Sequence, residues 1–290
     1  DIFEASKVAY GFWGVSGFSL AAIYLNRELI AANRQPMKIT IPWKIYRERA
    51  SKFLRSDLFW LGLIALLAFS LRTYKLDSPI ADWHSWRQAD TSAVTRDFIR
   101  HNNINWLYPT YDDLSSIASG KSNPKGYRFV EFPLYNAVTV FVSKAMPEWT
   151  IEKSGRATSA LFATAGMVFL FLLCRQLLGR RTAYLTAFVF AALPYNIFYG
   201  RVVLPDPSMV ALSLAGLWAI ARYIANQKKR YFVLGIIFSA AAFLVKPYAI
   251  FLLAPVVYLW LVGFGRKKLI KFLIYAVLTT LPFLLWRFWI

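Results

Sequence analysis

The chain has 290 residues, of which 58% are hydrophobic, 18% aromatic and only 17% charged, with a formal net charge of +19. A soluble protein carries roughly a quarter charged residues, and a chain this apolar and aromatic cannot remain disordered in water. Several stretches of about 16–20 residues are almost without charge. We therefore expect an all-α integral membrane protein, a polytopic bundle of transmembrane helices.

Candidate spans occupy most of the chain. Apolar runs predict membrane-spanning helices at 8–25, 57–74, 157–174, 182–199, 207–225, 231–245, 248–264 and 269–290. Lys246-Pro247 separates the sixth span from the seventh, because proline cannot continue a helix. The single cysteine and two histidines exclude a disulfide framework and a Cys- or His-based metal cluster. Since the sequence stops inside an apolar run, we expect a fragment of a longer polypeptide.

The basic residues predict the orientation. They lie in short clusters between apolar runs, which is typical of cytoplasmic membrane loops and not of a nucleic-acid-binding protein. The clusters are the basic residues of 26–56, Arg175 with Arg180 and Arg181, Lys228 with Lys229 and Arg230, and Arg266 to Lys268 with Lys271. With these in the cytoplasm, segments 75–156, 200–206 and 246–247 lie on the outer face. We expect a multi-pass membrane protein whose longest loop lies on that face.

The outer loop at 75–156 is long, and its many Trp and Tyr residues argue against disorder. Apolar residues Trp86, Ala89, Ala93, Val94 and Phe98 recur with helical spacing between 85 and 101, which predicts an amphipathic helix that can lie on the membrane.

The apolar stretch 132–146 belongs to the same loop but is short for a span. It also contains Pro133 and Lys144. We interpret it as a second helix in the outer interface.

Two motifs place carboxylates on the outer face. In the segment D-W-H-S-W-R-Q-A-D-T at 82–91, Arg87 and Asp90 share a helix face, so Asp90 is either a general base for an acceptor hydroxyl or part of a surface ion pair. Asp206 lies between two prolines in R-V-V-L-P-D-P, where it either caps the next helix or belongs to the same site.

Two further motifs come from the segments E-F-P-L-Y at 131–135 and K-P at 246–247. Glu131 opens the interfacial helix. Lys246 lies between two apolar runs, where its ammonium group either reaches the interface or binds a lipid-linked phosphate as a point charge.

Five motifs in this order resemble the polytopic GT-C glycosyltransferases: W-R-Q-A-D-T, E-F-P-L-Y, a G-R pair near the start of a span, R-V-V-L-P-D and K-P. The resemblance is to the bacterial relatives of the dolichyl-phosphate-mannose protein mannosyltransferases and of the lipid A aminoarabinose transferases. It covers roughly 57–290, the expected GT-C domain, and leaves 1–56 unassigned. It implies inverting transfer of a sugar from a polyprenyl-phosphate donor to a cell-envelope acceptor, which is a lipid, a glycan or a protein. It also implies an enzyme of the inner (plasma) membrane that contacts membrane lipids and has its active site on the outer face.

The resemblance also implies roles for the acidic residues. The family carries its catalytic carboxylate in the first outer loop, usually in an acidic pair that this sequence lacks. Asp90 lies within the matching motif and is the favoured base, with Asp82 as the alternative. Asp206 matches the second acidic position, and Glu131 lines the site.

For the basic residues, the resemblance implies that Lys246 and Arg201 lie near the donor phosphate. Arg87 and His84 complete the expected substrate-binding set. No cofactor is required by a motif, although a divalent cation, Mg²⁺ or Mn²⁺, stays open with Asp90 and Asp206 as its ligands.

Two other classes of protein stay open beside the enzyme. A transporter or lipid flippase predicts charges inside spans and broken helices in two halves. A non-catalytic membrane subunit predicts that Asp90, Asp206 and Lys246 lie far apart.

Overall fold

The computed structural model describes residues 56–112, 122–265 and 268–290. These residues form ten α-helices and one 3₁₀ helix. The helices are α1 (Asp57–Arg72), α2 (Ser85–Arg100), α3 (Leu134–Ala145), α4 (Ile151–Leu177), α5 (Arg180–Ala192), α6 (Pro194–Tyr199), α7 (Asp206–Asn226), α8 (Lys229–Val245), the 3₁₀ helix Pro247–Leu252, α9 (Leu253–Phe264) and α10 (Leu269–Trp289). The expected all-α membrane protein is confirmed. The span expected at 8–25 lies outside the described residues.

Four helical segments of the described residues are long and apolar enough to cross a membrane. They are α4, α7, α10 and the segment Pro247–Phe264, which joins the 3₁₀ helix to α9. Helix α1 has 16 residues and α8 has 17, so each is about 24–26 Å long, slightly less than the hydrocarbon thickness of a bilayer.

One predicted span is not a single continuous helix. The segment 182–199 divides into α5 and α6, because Leu193 adopts an extended conformation before Pro194. A residue that precedes proline is disfavoured in the helical region. By contrast, the predicted break at Lys246-Pro247 is confirmed, since α8 ends at Val245 and the 3₁₀ helix begins at Pro247.

Helix α7 packs against both α4 and α8. The close approach of α7 to α8 depends on Gly216, where an added Cβ would lie 2.3 Å from the hydroxyl oxygen of Ser239. That hydroxyl also lies 2.7 Å from the hydroxyl of Tyr275 on α10. Small residues therefore set the spacing of the central helices.

Arg72 joins the end of α1 to the break between α5 and α6. Its side chain is fully buried. The guanidinium donates hydrogen bonds to the carbonyls of Ala68, at 2.8 Å, Ala191, at 3.2 Å, and Phe190, at 3.3 Å. The last two carbonyls belong to the end of α5, where helix carbonyls have no intrahelical partner.

The bundle has two chemically different ends. At the basic end, Asp57 at the start of α1 pairs with Arg175 at 2.8 Å and with Arg180 at 2.7 Å. At the opposite end, the loop end, the segments that follow α1 and precede α4 and α7 meet the end of α8. The connections expected to share one face therefore share one end of the bundle.

Helices α2 and α3 lie at the loop end. The helix predicted at 85–101 is present, but Ala93, Val94 and Phe98 pack against Tyr111 and Val140. Most of its predicted lipid-facing side is therefore buried in protein, because α3 and the following loop cover it.

At the start of α2, Trp83 and Trp86 are exposed. The short helix predicted at 132–146 is present as α3. Its Tyr135 hydroxyl is buried and donates to the carbonyl of Gly155 on α4 at 2.7 Å.

Candidate active site

Six charged side chains form one connected group at the loop end, which we call the charge network: Arg128, Asp90, Arg87, Glu131, Lys246 and Asp206. Its first half lies on α2 and the loop before α3. Arg128 donates a hydrogen bond to Asp90 Oδ2, and Arg87 Nη1 lies 3.8 Å from the same oxygen. Arg87 and Asp90 are three residues apart on α2, which places them on one face.

The second half connects α2 to the ends of α7 and α8. Arg87 donates a hydrogen bond to Glu131 Oε1, and Lys246 Nζ lies 3.7 Å from that oxygen. Lys246 Nζ donates to Asp206 Oδ2 at 2.8 Å. Asp206 begins α7 immediately after Pro205, and Lys246 follows α8 in an extended conformation that directs the chain into Pro247.

The charge network is mostly shielded from solvent. The exposed fraction of its side chains ranges from 13% for Arg87 to 27% for Asp90. Burial lowers the pKa of Lys246, but the carboxylates of Asp206 and Glu131 outweigh burial and hold that pKa above its ordinary value. Three cations and three carboxylates give a formal charge of zero, which limits the cost of burying them together.

A small cleft opens beside Asp90. Hydrogen bonds fix its wall, because the buried amide of Asn136 on α3 donates to the carbonyl of Thr91 at 2.7 Å and to the hydroxyl of Thr95 at 3.1 Å. The cleft is lined by Arg87, Asp90, Thr91, Val94, Pro109, Arg128, Glu131, Pro133, Asn136 and Pro205. Four of the six members of the charge network therefore face one space.

Asp82 belongs to a separate group, the Asp82 cluster, made of Asp82, Gln88 and Arg156. Gln88 donates to Asp82 Oδ1 at 2.6 Å, and Arg156 Nη1 lies 3.2 Å from Asp82 Oδ2. Gln88 is fully buried and accepts a hydrogen bond from the Val203 amide at 2.9 Å. One oxygen of Asp82 thus connects to α4 through Arg156. The other connects, through Gln88 on α2, to the segment before α7.

Two of the predicted binding residues lie outside the charge network. The guanidinium of Arg201 donates to the Tyr74 carbonyl and lies over the rings of Tyr74 and Phe198. His84 precedes α2 in a left-handed conformation, with its ring 5.3 Å from that of Trp83. Their assigned part in substrate binding stays a prediction.

The carboxylates proposed for a divalent cation have cationic partners instead. Asp90 is paired with Arg128, and Asp206 is paired with Lys246. Among the residues with described positions, no group of three or more His, Cys, Asp or Glu side chains has the arrangement of a metal site. A cation shared by Asp90 and Asp206 does not fit this arrangement, because it would have to displace both partners.

Sequence reasoning assigned no site role to Arg128, Gln88 or Arg156. Arg128 is three residues before Glu131, and this charge spacing was the one local signal for it. Gln88 lies inside the W-R-Q-A-D-T motif but carries no charge. Arg156 meets Asp82 across 74 residues, a contact that no local pattern indicates.

Comparison with known proteins gives a family match over part of the chain. The family model for dolichyl-phosphate-mannose-protein mannosyltransferase matches residues 149–289. No curated protein and no solved structure matches the chain significantly. The matched region runs from the start of α4 to the end of α10, and it includes Asp206 and Lys246. Residues 149–289 are therefore similar to the dolichyl-phosphate-mannose-protein mannosyltransferases, a family of membrane glycosyltransferases of the GT-C type.

Proposed function

We propose that the protein transfers a sugar from a polyprenyl-phosphate donor to a cell-envelope acceptor, with the charge network as its active site. The observation that carries this proposal is the position of the cleft. Asp90, Arg87 and Glu131 line it, and Lys246 of the matched region lies behind Glu131, with its Nζ 3.7 Å from Glu131 Oε1. A carboxylate beside several cations suits a reaction in which a hydroxyl loses a proton and a phosphate leaves.

In the proposed reaction, an acceptor hydroxyl oxygen attacks the anomeric carbon of the donor sugar. A new carbon–oxygen bond forms as the bond from that carbon to the phosphate oxygen breaks, which inverts the anomeric centre. The electron pair of the broken bond leaves with polyprenyl phosphate, and the acceptor proton passes to Asp90. Asp90 is preferred to Asp82 because it lines the cleft, whereas both oxygens of Asp82 are held in the Asp82 cluster.

The leaving phosphate needs positive charge where its negative charge develops. Lys246 and Arg87 supply that charge from two different parts of the fold, and both are mostly shielded from water. Fixed charges in such a site stabilise a developing anion more than they do in water. Asp206 keeps Lys246 in place through the hydrogen bond at 2.8 Å.

The proposed location follows from the two ends of the bundle. Lys and Arg favour the cytoplasmic side of a membrane protein, and Arg175 and Arg180 lie at the basic end. The loop end would then face the outside of the inner membrane, where lipid-linked donor and envelope acceptor would both reach the cleft.

The test compares Asp90→Asn, Asp82→Asn and Asp206→Asn in the full-length protein. Membranes carrying each variant at matched expression would receive a radiolabelled polyprenyl-phosphate sugar, and transfer to endogenous acceptors would be measured. We expect Asp90→Asn to lower the transfer rate by about 10²–10⁴-fold, the usual contribution of a general base. Asp112→Asn serves as the matched control, since Asp112 pairs with Arg96 in an exposed part of the loop.

Two results would contradict the proposal. Full activity of Asp90→Asn would exclude Asp90 as the base. Absence of transfer by the unmodified protein from every lipid donor tried would favour the transporter and subunit alternatives.

A further inference from the structure

Glu131 occupies an unusual place between two cations. Its Oε1 accepts a hydrogen bond from Arg87 on α2 and lies 3.7 Å from Lys246 Nζ at the end of α8. A single anionic oxygen thus bridges two separate elements of the fold. A phosphate oxygen binds arginine and lysine in the same way.

The two contacts of Lys246 are unequal. Its hydrogen bond to Asp206 is 2.8 Å long, whereas its distance to Glu131 is 3.7 Å, beyond a hydrogen bond. Removing the Glu131 carboxylate would therefore leave Lys246 paired. Glu131 also lies outside the helices, just before α3, so rotation of its own side chain can withdraw the carboxylate from both cations.

The charge balance of the network also favours replacement of the Glu131 carboxylate by a phosphate. The charge network sums to zero with Glu131 in place, so an arriving phosphate would add an anion to a group that is already neutral. If Glu131 leaves as the phosphate enters, one anion replaces another and the balance is approximately kept. An exchange of this kind avoids burying an unpaired charge in either state.

We propose that Glu131 is a built-in substitute for the donor phosphate: its carboxylate occupies the phosphate position and withdraws when the lipid phosphate binds. This inference rests on the proposed function. Because every phosphate must displace Glu131, free inorganic phosphate binds poorly. A polyprenyl phosphate binds because burial of its lipid chain adds to the binding free energy.

The first test measures binding of two probes, a short-chain polyprenyl phosphate and inorganic phosphate, to the full-length protein in lipid nanodiscs. Glu131→Gln removes the competing charge, so we expect it to bind both probes at least about tenfold more tightly than the unmodified protein. Glu148→Gln is the matched control, because Glu148 is exposed in the loop before α4 and its loss changes the net charge equally. The control should leave both affinities unchanged.

Lys246→Met separates the two proposals. If Lys246→Met abolishes polyprenyl-phosphate binding while Glu131→Gln brings no gain over Glu148→Gln, the substitute role of Glu131 is overturned and the phosphate site stands. If Lys246→Met binds the lipid as well as the unmodified protein does, the phosphate site itself is wrong, and the substitute role falls with it.

A second measurement needs no substitution at Glu131. The unmodified protein would be treated with a water-soluble carbodiimide and an amine, with and without polyprenyl phosphate, and labelled carboxylates identified by mass spectrometry. We expect the lipid to increase labelling of Glu131 and to leave Asp57, at the basic end, unchanged. Equal or lower labelling of Glu131 would overturn the proposal.

Discussion

Replacement of Arg156 by methionine tests whether Asp82 has a structural role. Arg156 is 1% exposed, and the substitution removes its contact with Asp82 at 3.2 Å and its hydrogen bond to the Pro79 carbonyl at 3.3 Å. Removing one partner of a fully buried ion pair costs about 3–5 kcal/mol. Asp82 is 26% exposed and can regain some water, so we expect unfolding to become easier by about 2–4 kcal/mol.

A neighbouring ion pair provides the control. Lys153 Nζ lies 2.7 Å from Asp77 Oδ1, and it also joins the loop to α4, but the Asp77 side chain is 78% exposed. Exposed pairs contribute at most about 1 kcal/mol. Lys153→Met should therefore change the free energy of unfolding much less than Arg156→Met does.

The assay is denaturant-induced unfolding in detergent micelles, applied as a double-mutant cycle. Asp82→Asn, Arg156→Met and the double variant would be compared, and the double variant should lose clearly less than the sum of the single losses. Transfer activity per folded molecule should survive in Asp82→Asn. Additive losses, or equal losses in Arg156→Met and Lys153→Met, would refute the structural role of the Asp82 cluster.

Three other outcomes are expected. Lys246→Met should lower the free energy of unfolding by about 2–4 kcal/mol because it leaves Asp206 unpaired; addition of Asp206→Asn should restore part of that stability in micelles without restoring transfer. Gly216→Val should lower stability by about 1–3 kcal/mol, since its Cβ meets the facing serine, whereas Gly62→Val, with open space at its Cβ, should cost less in the same unfolding assay. Arg128→Gln should lower kcat about tenfold by releasing Asp90 from its position, with an unchanged KM for the lipid donor; a change in KM alone would contradict a positioning role.

Apolar runs and prolines in the sequence predicted the helices and helix breaks that depend only on neighbouring residues. The span expected at 207–225 appears as α7 because an apolar run between Pro205 and Gln227 has few alternatives to a helix. Helix α8 ends just before Lys246-Pro247 because proline has no backbone N–H and its ring clashes with the preceding helical turn. The same reasoning should have divided 182–199, since Pro194 lies inside it.

The candidate site was predicted only in part, because its contacts are long-range. The order of the spans and the positions of the basic clusters predicted that Asp90, Glu131, Asp206 and Lys246 lie at one end of the bundle. Their pairing depends on tertiary packing, which sequence spacing does not contain. Arg128 reaches Asp90 across 38 residues, so its partner could not be identified before the fold was known.

The buried guanidinium of Arg72 has a consequence for how the protein is made. Two of its carbonyl partners, on Phe190 and Ala191, lie 118 and 119 residues later in the chain. At about 5–20 residues per second, the ribosome needs roughly 6–24 s to supply them. During this interval Arg72 must remain at a hydrated boundary. In chains stalled before residue 180, a cysteine at Ala68 should therefore react with maleimides, and in chains extended past α6 it should be protected. Equal reactivity at both lengths would mean that α1 is seated before its partners emerge.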